Sequence, residues 1–391
     1  MKKILMISPQ PFFQWRGSPI RVGFNLLALT KLGYEVDLLT LPVGEDLEIE
    51  GVRIVRVANP LGIKNVPIGP SIPKLFFDLL IVLKGFFLCL RNRYEVIHGI
   101  EEAGMIAVLL GKMFGAKVIF EKHSDPSSYR KGLVRNAIMG VYSMVERMAV
   151  RFADAVIGTG PGLVSQINSM GTGTRTFHIY DIPSSLSEPE SHNVEQLKKR
   201  LQGSNNEILV TFVGSFAVYQ GVELLFASIH HVIRICRRLR FIVIGGTDFE
   251  IEEKRELLIR EGLENNVTFL GKIAPDLLPD YLAASDILLS PRVSGVNTPL
   301  KILDYMKVGR AIVATDVESN RLLLDETTAV LAAPEPEDFA NAIATLAMDE
   351  EKRAALGEAG RHLYETRYNF KEYRLRLGNC YAYVLDSGSR L

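Results

Sequence analysis

Short apolar runs alternate along this chain with longer stretches whose apolar positions recur every three or four residues. The runs "KKILMIS", "EVDLLTL", "VRIVRVA", "EVIHGI", "KVIFEKH" and "ADAVIGT" predict strands in the first half. "EILVTFVG", "RFIVIGG", "VTFLG", "ILLSPR" and "AIVATD" predict them in the second. Between them lie helical patterns such as "VGFNLLALTKLG", which closes on Gly33, a residue suited to the left-handed turn past a helix end. Strand–helix alternation predicts parallel, doubly wound sheets. The alternation runs through twice, and the two series are separated by the polar stretch "PSSLSEPESHNVEQLKKRLQGSNNE". The pattern therefore predicts a Rossmann-like α/β domain over residues 1–183, a linker over 184–206 and a second Rossmann-like domain over 207–367. Two such domains are expected to face each other across a cleft where their strand carboxyl ends meet, and functional residues belong there.

Composition narrows the partners. The 391 residues carry 45 basic and 45 acidic side chains, which argues against a nucleic-acid binder. The balance is uneven: residues 1–185 hold 21 basic and 15 acidic side chains, so the first half leans positive toward a phosphate or a membrane surface. Cys89, Cys236 and Cys380 lie far apart, a spacing of reduced thiols in a cytoplasmic protein. "MKKILMISPQP" is too short an apolar run for a signal peptide and reads as a first strand. "KLFFDLLIVLKGFFLCLR" is interrupted by Asp78 and Lys84, so it reads as a buried helix, with an amphipathic helix lying on a bilayer as the alternative.

Candidate chemistry clusters at strand ends. "GTGPGL" lacks the glycine spacing of a dinucleotide fingerprint and reads as a tight turn, whereas the turn in "VGSFAVYQGVELL" offers backbone N–H groups to an anion. His98 and His123 each lie at the end of a predicted strand, and His230 and His231 lie in a helical pattern. No histidine–carboxylate set has metal-ligand spacing, and no Gly-x-Ser-x-Gly elbow marks a hydrolase. The densest set is "SPRVSGVNTPLKILDYMKVGRAIVATD", where Arg292, Lys301 and Asp304 surround a turn at the mouth of a helix.

These segments, in this order, resemble the family-four retaining glycosyltransferases of the GT-B fold over nearly the whole chain. "RGSPIRVGFNLLALTKLGYEVDLLT" is similar to that family's glycine-rich loop, helix and Gly-His-Glu-Val strand, with Tyr34 where histidine is usual. "YEVIHGIEEAG" and "KVIFEKHSD" resemble its two histidine-bearing strands, and "NNVTFLGKIAPDLLPDYLAASDILLSP" its most recognisable later run. "LDYMKVGRAIVATD" resembles its Glu-Ala-Met-Ala-x-Gly-x-Pro-Val-Val-Ala helix and strand, and residues 368–391 its closing helix, which in this fold crosses back to the first domain.

The resemblance implies retaining, metal-independent transfer of a hexosyl-type group from a nucleotide-diphosphate sugar to an acceptor hydroxyl. That sugar nucleotide is a substrate, and no separate cofactor is implied. Asp304 takes the place of a glutamate implied to bind the ribose, and Val296 that of its partner glutamate, a role valine cannot fill. Ser215 and Gln220, beside Gly214, stand where two cations usually hold the diphosphate. Arg292, Lys301 and Arg21 (just past Gly17 in the first glycine loop) are the available substitutes, with the backbone amides of Thr298 and Leu300 aimed at the donor. His123 is implied to contact the sugar, and His98 and Glu101 lie on the acceptor side. The acceptor is expected to be a glycan or lipid-linked molecule of envelope, polysaccharide or glycolipid synthesis, handled at a membrane surface. The missing cations and glutamate keep a catalytically silent binder in view. An epimerase on the same fold would need carboxylates that Val296 does not offer, and a nicotinamide dehydrogenase lacks its fingerprint.

Overall fold

The computed structural model describes residues 2–13, 17–64, 66, 72–124, 133–202, 206–295 and 298–386. It divides into two compact units, one of residues 1–181 with 371–391, the other of residues 182–370. In the first unit the strands are β1 (Lys3–Ser8), β2 (Glu35–Thr40), β3 (Val52–Arg56), β4 (Val96–Ile100), β5 (Lys117–Lys122), β6 (Ala155–Gly158) and β7 (Thr176–His178). Its helices are α1 (Gly17–Lys31), α2 (Ile72–Arg91), α3 (Ala103–Phe114), α4 (Leu133–Phe152) and α5 (Pro161–Ser169). The second unit begins with helix α6 (Ser191–Gln202) and builds its sheet from β8 (Ile208–Val213), β9 (Leu239–Ile244), β10 (Val267–Gly271), β11 (Ile287–Ser290), β12 (Ala311–Thr315) and β13 (Val330–Ala332). Its other helices are α7 (Val222–Ile235), α8 (Asp248–Glu261), α9 (Leu278–Ala284), α10 (Leu300–Val308), α11 (Glu318–Arg321), α12 (Pro336–Met348) and α13 (Glu350–Leu363), and the chain then enters α14 (Phe370–Asp386).

Both sheets are parallel throughout, in the orders β3-β2-β1-β4-β5-β6-β7 and β10-β9-β8-β11-β12-β13. In each, the chain winds outward from its first strand in one direction and then returns to wind in the other. The reversal leaves a crevice beyond the carboxyl ends of the two central strands, β1 and β4 in one sheet, β8 and β11 in the other. Central strands are buried on both faces, so β1 and β12 read as nearly continuous apolar runs, and β4 is interrupted by His98 alone.

Two expectations need correction. The polar stretch taken for a linker is part of the second unit. Its middle forms α6, which lies against α9, and Asp280 Oδ1 accepts the Glu190 N–H at 2.8 Å. The unit boundaries fall at 181/182 and 370/371, not at 183 and 368. The pattern also missed β7 and β13, each three residues long and each at a sheet edge.

Helix α14 packs into the first unit. Tyr373, Leu377, Tyr381 and Val384 are buried at helical spacing, each contributing roughly 1.5–3 kcal/mol of apolar burial. Among the described residues no helix is long and apolar enough to cross a membrane.

Candidate active site

The second domain gathers five of the expected residues around the crevice of its sheet. Gly214 and Ser215 leave β8, and Pro291 and Arg292 leave β11, so they flank the point where the winding reverses. Tyr305 of α10 fastens this seam: its hydroxyl accepts the Val213 N–H at 3.2 Å and donates to Leu289 O at 3.1 Å. One turn earlier on the same helix face stands Lys301. A Cβ added to Gly214 would lie 3.0 Å from Lys301 Nζ and 3.6 Å from Gln220 Oε1, so all three converge there. The glycine at 221 is required by close approach, since a Cβ on it would fall 1.7 Å from Pro291 O in a left-handed backbone of φ 71°. That approach lays residues 218–220 along the β11 exit, where Val293 N–H donates to Tyr219 O at 3.1 Å.

The electrostatics are unusual for an interior. Lys301 Nζ is buried 4.4 Å above the Phe212 ring centroid, with no hydrogen-bond partner among the described residues. Gln220 Oε1 beside it is also buried and unpartnered. Burial, with the neighbouring Arg292 charge adding to it, pulls the Lys301 ammonium down to about 7. Arg292 is itself lowered by burial; its Nε donates to Ser294 O at 2.8 Å and its guanidinium lies over the Tyr219 ring. Two cations are thus held close with no carboxylate between them among the described residues, and such a pocket gains most by taking an anion. Helix α10 starts at Leu300 behind Pro299 with no side-chain cap; the Ile302 N–H donates to Pro299 O at 3.0 Å, and the Leu300 and Lys301 amides ahead of it have no intrahelical acceptor. Thr298 immediately precedes them, Ser215 is exposed in the turn after β8, and Val296 lies outside the described residues.

Asp304 has a different task from the ribose contact expected of it. It is buried within the second domain, where Ser184 N–H donates to Oδ1 at 2.7 Å and Ser184 Oγ lies 2.9 Å from Oδ2. Lys307, one turn on, donates to Ser185 O and Ser187 O, so α10 clamps the segment that leads into the domain. Burial pushes the Asp304 carboxyl up to about 7 against the lowering effect of Ser184.

The first domain holds a second polar centre, built on Glu121, which sequence reasoning passed over. The last two residues of β5 and His123 beyond them are fully engaged. Glu121 Oε1 accepts from Arg21 Nε and from His123 Nε2 at 2.9 Å; Oε2 accepts from Asn25 Nδ2 at 2.9 Å, and His98 Nε2 lies 3.0 Å from it as a close contact without hydrogen-bond geometry. Three donors and the close His98 ring nitrogen surround this one carboxylate. Burial alone would raise Glu121, but Arg21 and the two imidazoles hold it well below the usual carboxylate range. Arg21 further donates to Asp181 Oδ1 at 2.9 Å and to the carbonyls of Ile179 and Tyr180. This corrects its expected donor role, because the guanidinium is spent inside its own domain. His98 is corrected likewise: it sits fully buried in β4, with Nδ1 2.8 Å from the Tyr381 hydroxyl of α14.

His123 is oriented on both sides, by Glu121 at Nε2 and by Ser18 Oγ 3.0 Å from Nδ1. Because the carboxylate only accepts, Nε2 carries the hydrogen and Nδ1 accepts from Ser18. Glu101 ends β4 in a left-handed backbone (φ 53°) and accepts the His123 N–H at 2.8 Å, its carboxyl pushed up by burial to about 7. Gly17 opens α1 one residue before Ser18, as the first helical position and not as a loop.

The comparisons agree with this architecture. Residues 207–349 match the family model of glycosyl transferases group 1, and residues 21–178 that of the glycosyl transferase 4-like domain. A D-inositol 3-phosphate glycosyltransferase from Rhodococcus erythropolis is 30% identical over 371 residues, covering 88% of this chain and 82% of that protein. A phosphatidylinositol N-acetylglucosaminyltransferase from Arabidopsis thaliana is 25% identical over 353 residues, covering 87% of this chain and 73% of that protein. Among solved structures, a sucrose-phosphate synthase from Thermosynechococcus elongatus superposes with a TM-score of 0.80 at 22% identity, over 99% of this chain and 100% of that one. Anabaena HepE, solved in complex with UDP-glucose, does so with a TM-score of 0.72 at 18% identity, over 98% of this chain and 100% of that one. The chain belongs to the group 1 glycosyl transferases, with the paired Rossmann-like domains of the GT-B class.

Proposed function

We propose that this glycosyltransferase moves a hexosyl group from a nucleotide-diphosphate sugar to an acceptor hydroxyl with retention of configuration and without a metal ion. The observation that carries the reading is the pair of buried cations, Lys301 and Arg292, with no acid between them at the crevice of the second sheet. When the bond to the sugar breaks, charge collects on the departing diphosphate. Preorganised cations and helix-start amides around Gly214 meet that charge at no cost in reorganisation. Lys301 replaces the cations that Ser215 and Gln220 do not supply, and a bound diphosphate draws a proton onto its amine. UDP-glucose in the HepE complex supports a nucleotide sugar as donor class. In the first domain His123 has both ring nitrogens committed, so its backbone carbonyl is the group we assign to the sugar. Glu101, beside it, is assigned to the acceptor hydroxyl. The Arabidopsis relative's name points to a lipid acceptor, and we extend that class to this chain.

One observation favours a second reading. Asp304 is taken up by Ser184, which removes the expected ribose carboxylate and leaves a site that binds a diphosphate without turning it over. Calorimetric titration with UDP, GDP and ADP, followed by hydrolysis assays of the corresponding sugar nucleotides, separates the two. Micromolar binding with slow hydrolysis supports the transferase. Binding with no turnover of any sugar nucleotide supports the silent binder, and no binding of any nucleoside diphosphate sinks both.

A further inference from the structure

The first domain carries a surface that neither polar centre uses. Helices α2, α3 and α4 follow β3, β4 and β5 and lie side by side on one face of the sheet, α3 in the middle against β4 and β5. Their inward sides are core, with Phe77 and Ile81 from α2, Ala107 and Leu110 from α3, and Ala149 and Val150 from α4. Their outward sides are apolar as well. On α2, Leu75, Leu79, Leu83 and Phe87 recur every fourth residue on one exposed stripe, with Leu75 72% and Phe87 54% accessible. Leu109 and Met113 continue it on α3, one turn apart, and Val141, Met144 and Met148 on α4. Scattered exposed leucines are ordinary; a stripe continued across three neighbouring helices marks an interaction surface.

Charge identifies the occupant. Among the described side chains of the three helices, the exposed charged residues are Lys84, Arg91, Lys112, Arg147 and Arg151, all basic. None has a carboxylate partner among the described residues. The acidic side chains of these helices, Asp78 and Glu146, are turned inward, and Glu146 is paired with Lys122. A second copy of the chain is a poor occupant, because a two-fold interface would set these cations against themselves. A surface that is apolar at its centre and wants negative charge around it is the anionic face of a lipid bilayer. We propose that α2, α3 and α4 form a docking face for a membrane rich in anionic lipid, with the leucine–methionine stripe set into the headgroup boundary and the five cations over lipid phosphates. The inference goes beyond the donor-site reading and is independent of it, since no nucleotide takes part in the contact.

Sedimentation of the full chain with vesicles of phosphatidylcholine, with and without phosphatidylglycerol, tests it. Wild-type protein is expected to partition at least tenfold better onto the anionic vesicles at low salt and to lose that advantage as the ionic strength rises. Each cation removed should lower partitioning roughly fivefold, so the triple variant Lys84→Glu, Arg91→Glu, Arg147→Glu should stay in the supernatant. Leu79→Ser with Phe87→Ser should lower partitioning at least tenfold with every cation in place; a plain ion exchanger would not notice that change. All these positions are exposed, and an unchanged thermal midpoint checks that the variants fold. The proposal is overturned if wild-type protein fails to pellet with anionic vesicles at low salt, or if neither variant set alters the binding. It is also overturned if the same substitutions dissolve a dimer or a protein complex while vesicles are ignored.

Discussion

Each domain sinks a cation beneath the crevice of its sheet, Arg21 on α1 and Lys301 on α10, and their surroundings could hardly differ more. Around Arg21 the guanidinium is satisfied: Glu121, Asp181 and two carbonyls accept from it, while Asn25 and His123 donate to the carboxylate and His98 packs against it. Around Lys301 almost nothing is met, with an aromatic face below, a second cation beside it and an unpartnered amide oxygen facing it. A saturated buried ion pair holds one conformation and has no capacity left for a ligand. An unsaturated one raises the energy of the empty state and returns that energy when an anion arrives. The contrast separates scaffold from site more sharply than position does, because sequence reasoning put both cations in the donor site.

The largest expected effect falls on the saturated side. Glu121→Ala leaves the buried Arg21 with only the more exposed Asp181 as its carboxylate partner and should destabilise the first domain by about 3 kcal/mol, read by chemical denaturation. A loss of activity with unchanged stability would show that the network serves chemistry alone. On the unsaturated side the sign reverses. Lys301→Ala should lower turnover about a hundredfold, or ~2.7 kcal/mol, with the Michaelis constant changed far less and stability undiminished. Adding Gln220→Lys to that variant should restore part of the rate, since both side chains reach Gly214. Wild-type turnover in Lys301→Ala would end the comparison.

Proton linkage is the next test. Lys301 sits at about 7 in the empty site, so below that pH it is already charged and above it the anion must recruit a proton. Nucleotide affinity should therefore fall as pH rises above 7, by at most about tenfold per unit, and calorimetry in buffers of different ionisation enthalpy should detect proton uptake. Pure Arg292 binding would show neither.

The smallest effect concerns Asp304. Its folded value of about 7 lies above its ordinary one of 3.8, so its contribution to stability is fully present below the lower value and is lost as pH rises through the upper. Asp304→Asn keeps an acceptor for Ser184 without the buried charge. It should match wild type near pH 4 and exceed it above pH 7, in denaturant titrations at the two pH values. A weakened nucleotide affinity in the same variant would return Asp304 to the ribose.

Much of this was legible from the chain. Eleven of the thirteen strands among the described residues, and both windings, followed from apolar runs and punctuating glycines. What was not legible depended on partners distant in sequence. His98 sits in a strand buried on both faces, where no alternation distinguishes a core histidine from a cleft one. Arg21 follows a glycine as a phosphate-binding residue would, and only the fold brings Glu121 to it. Asp304 fell at the position of a glutamate, but a side chain one methylene shorter stays beside its own helix and finds Ser184. Helix α6 was lost to composition: Leu201 is its one fully buried residue, and Val194 and Leu197, half-buried at helical spacing with it, are outnumbered by polar neighbours.

Helix α14 has a bearing on biosynthesis. The first domain is translated first, yet its hydroxyl partners for Asn25 and His98, Tyr373 and Tyr381, leave the ribosome only after the whole second domain. Until then the nascent first domain holds buried polar groups with nothing to bond, together with an apolar groove along Phe24 and Leu32 that awaits Tyr373 and Gly378. A ribosome stalled within the second domain should therefore display a first domain that proteases or chaperones can still seize, and release of the full chain should close it.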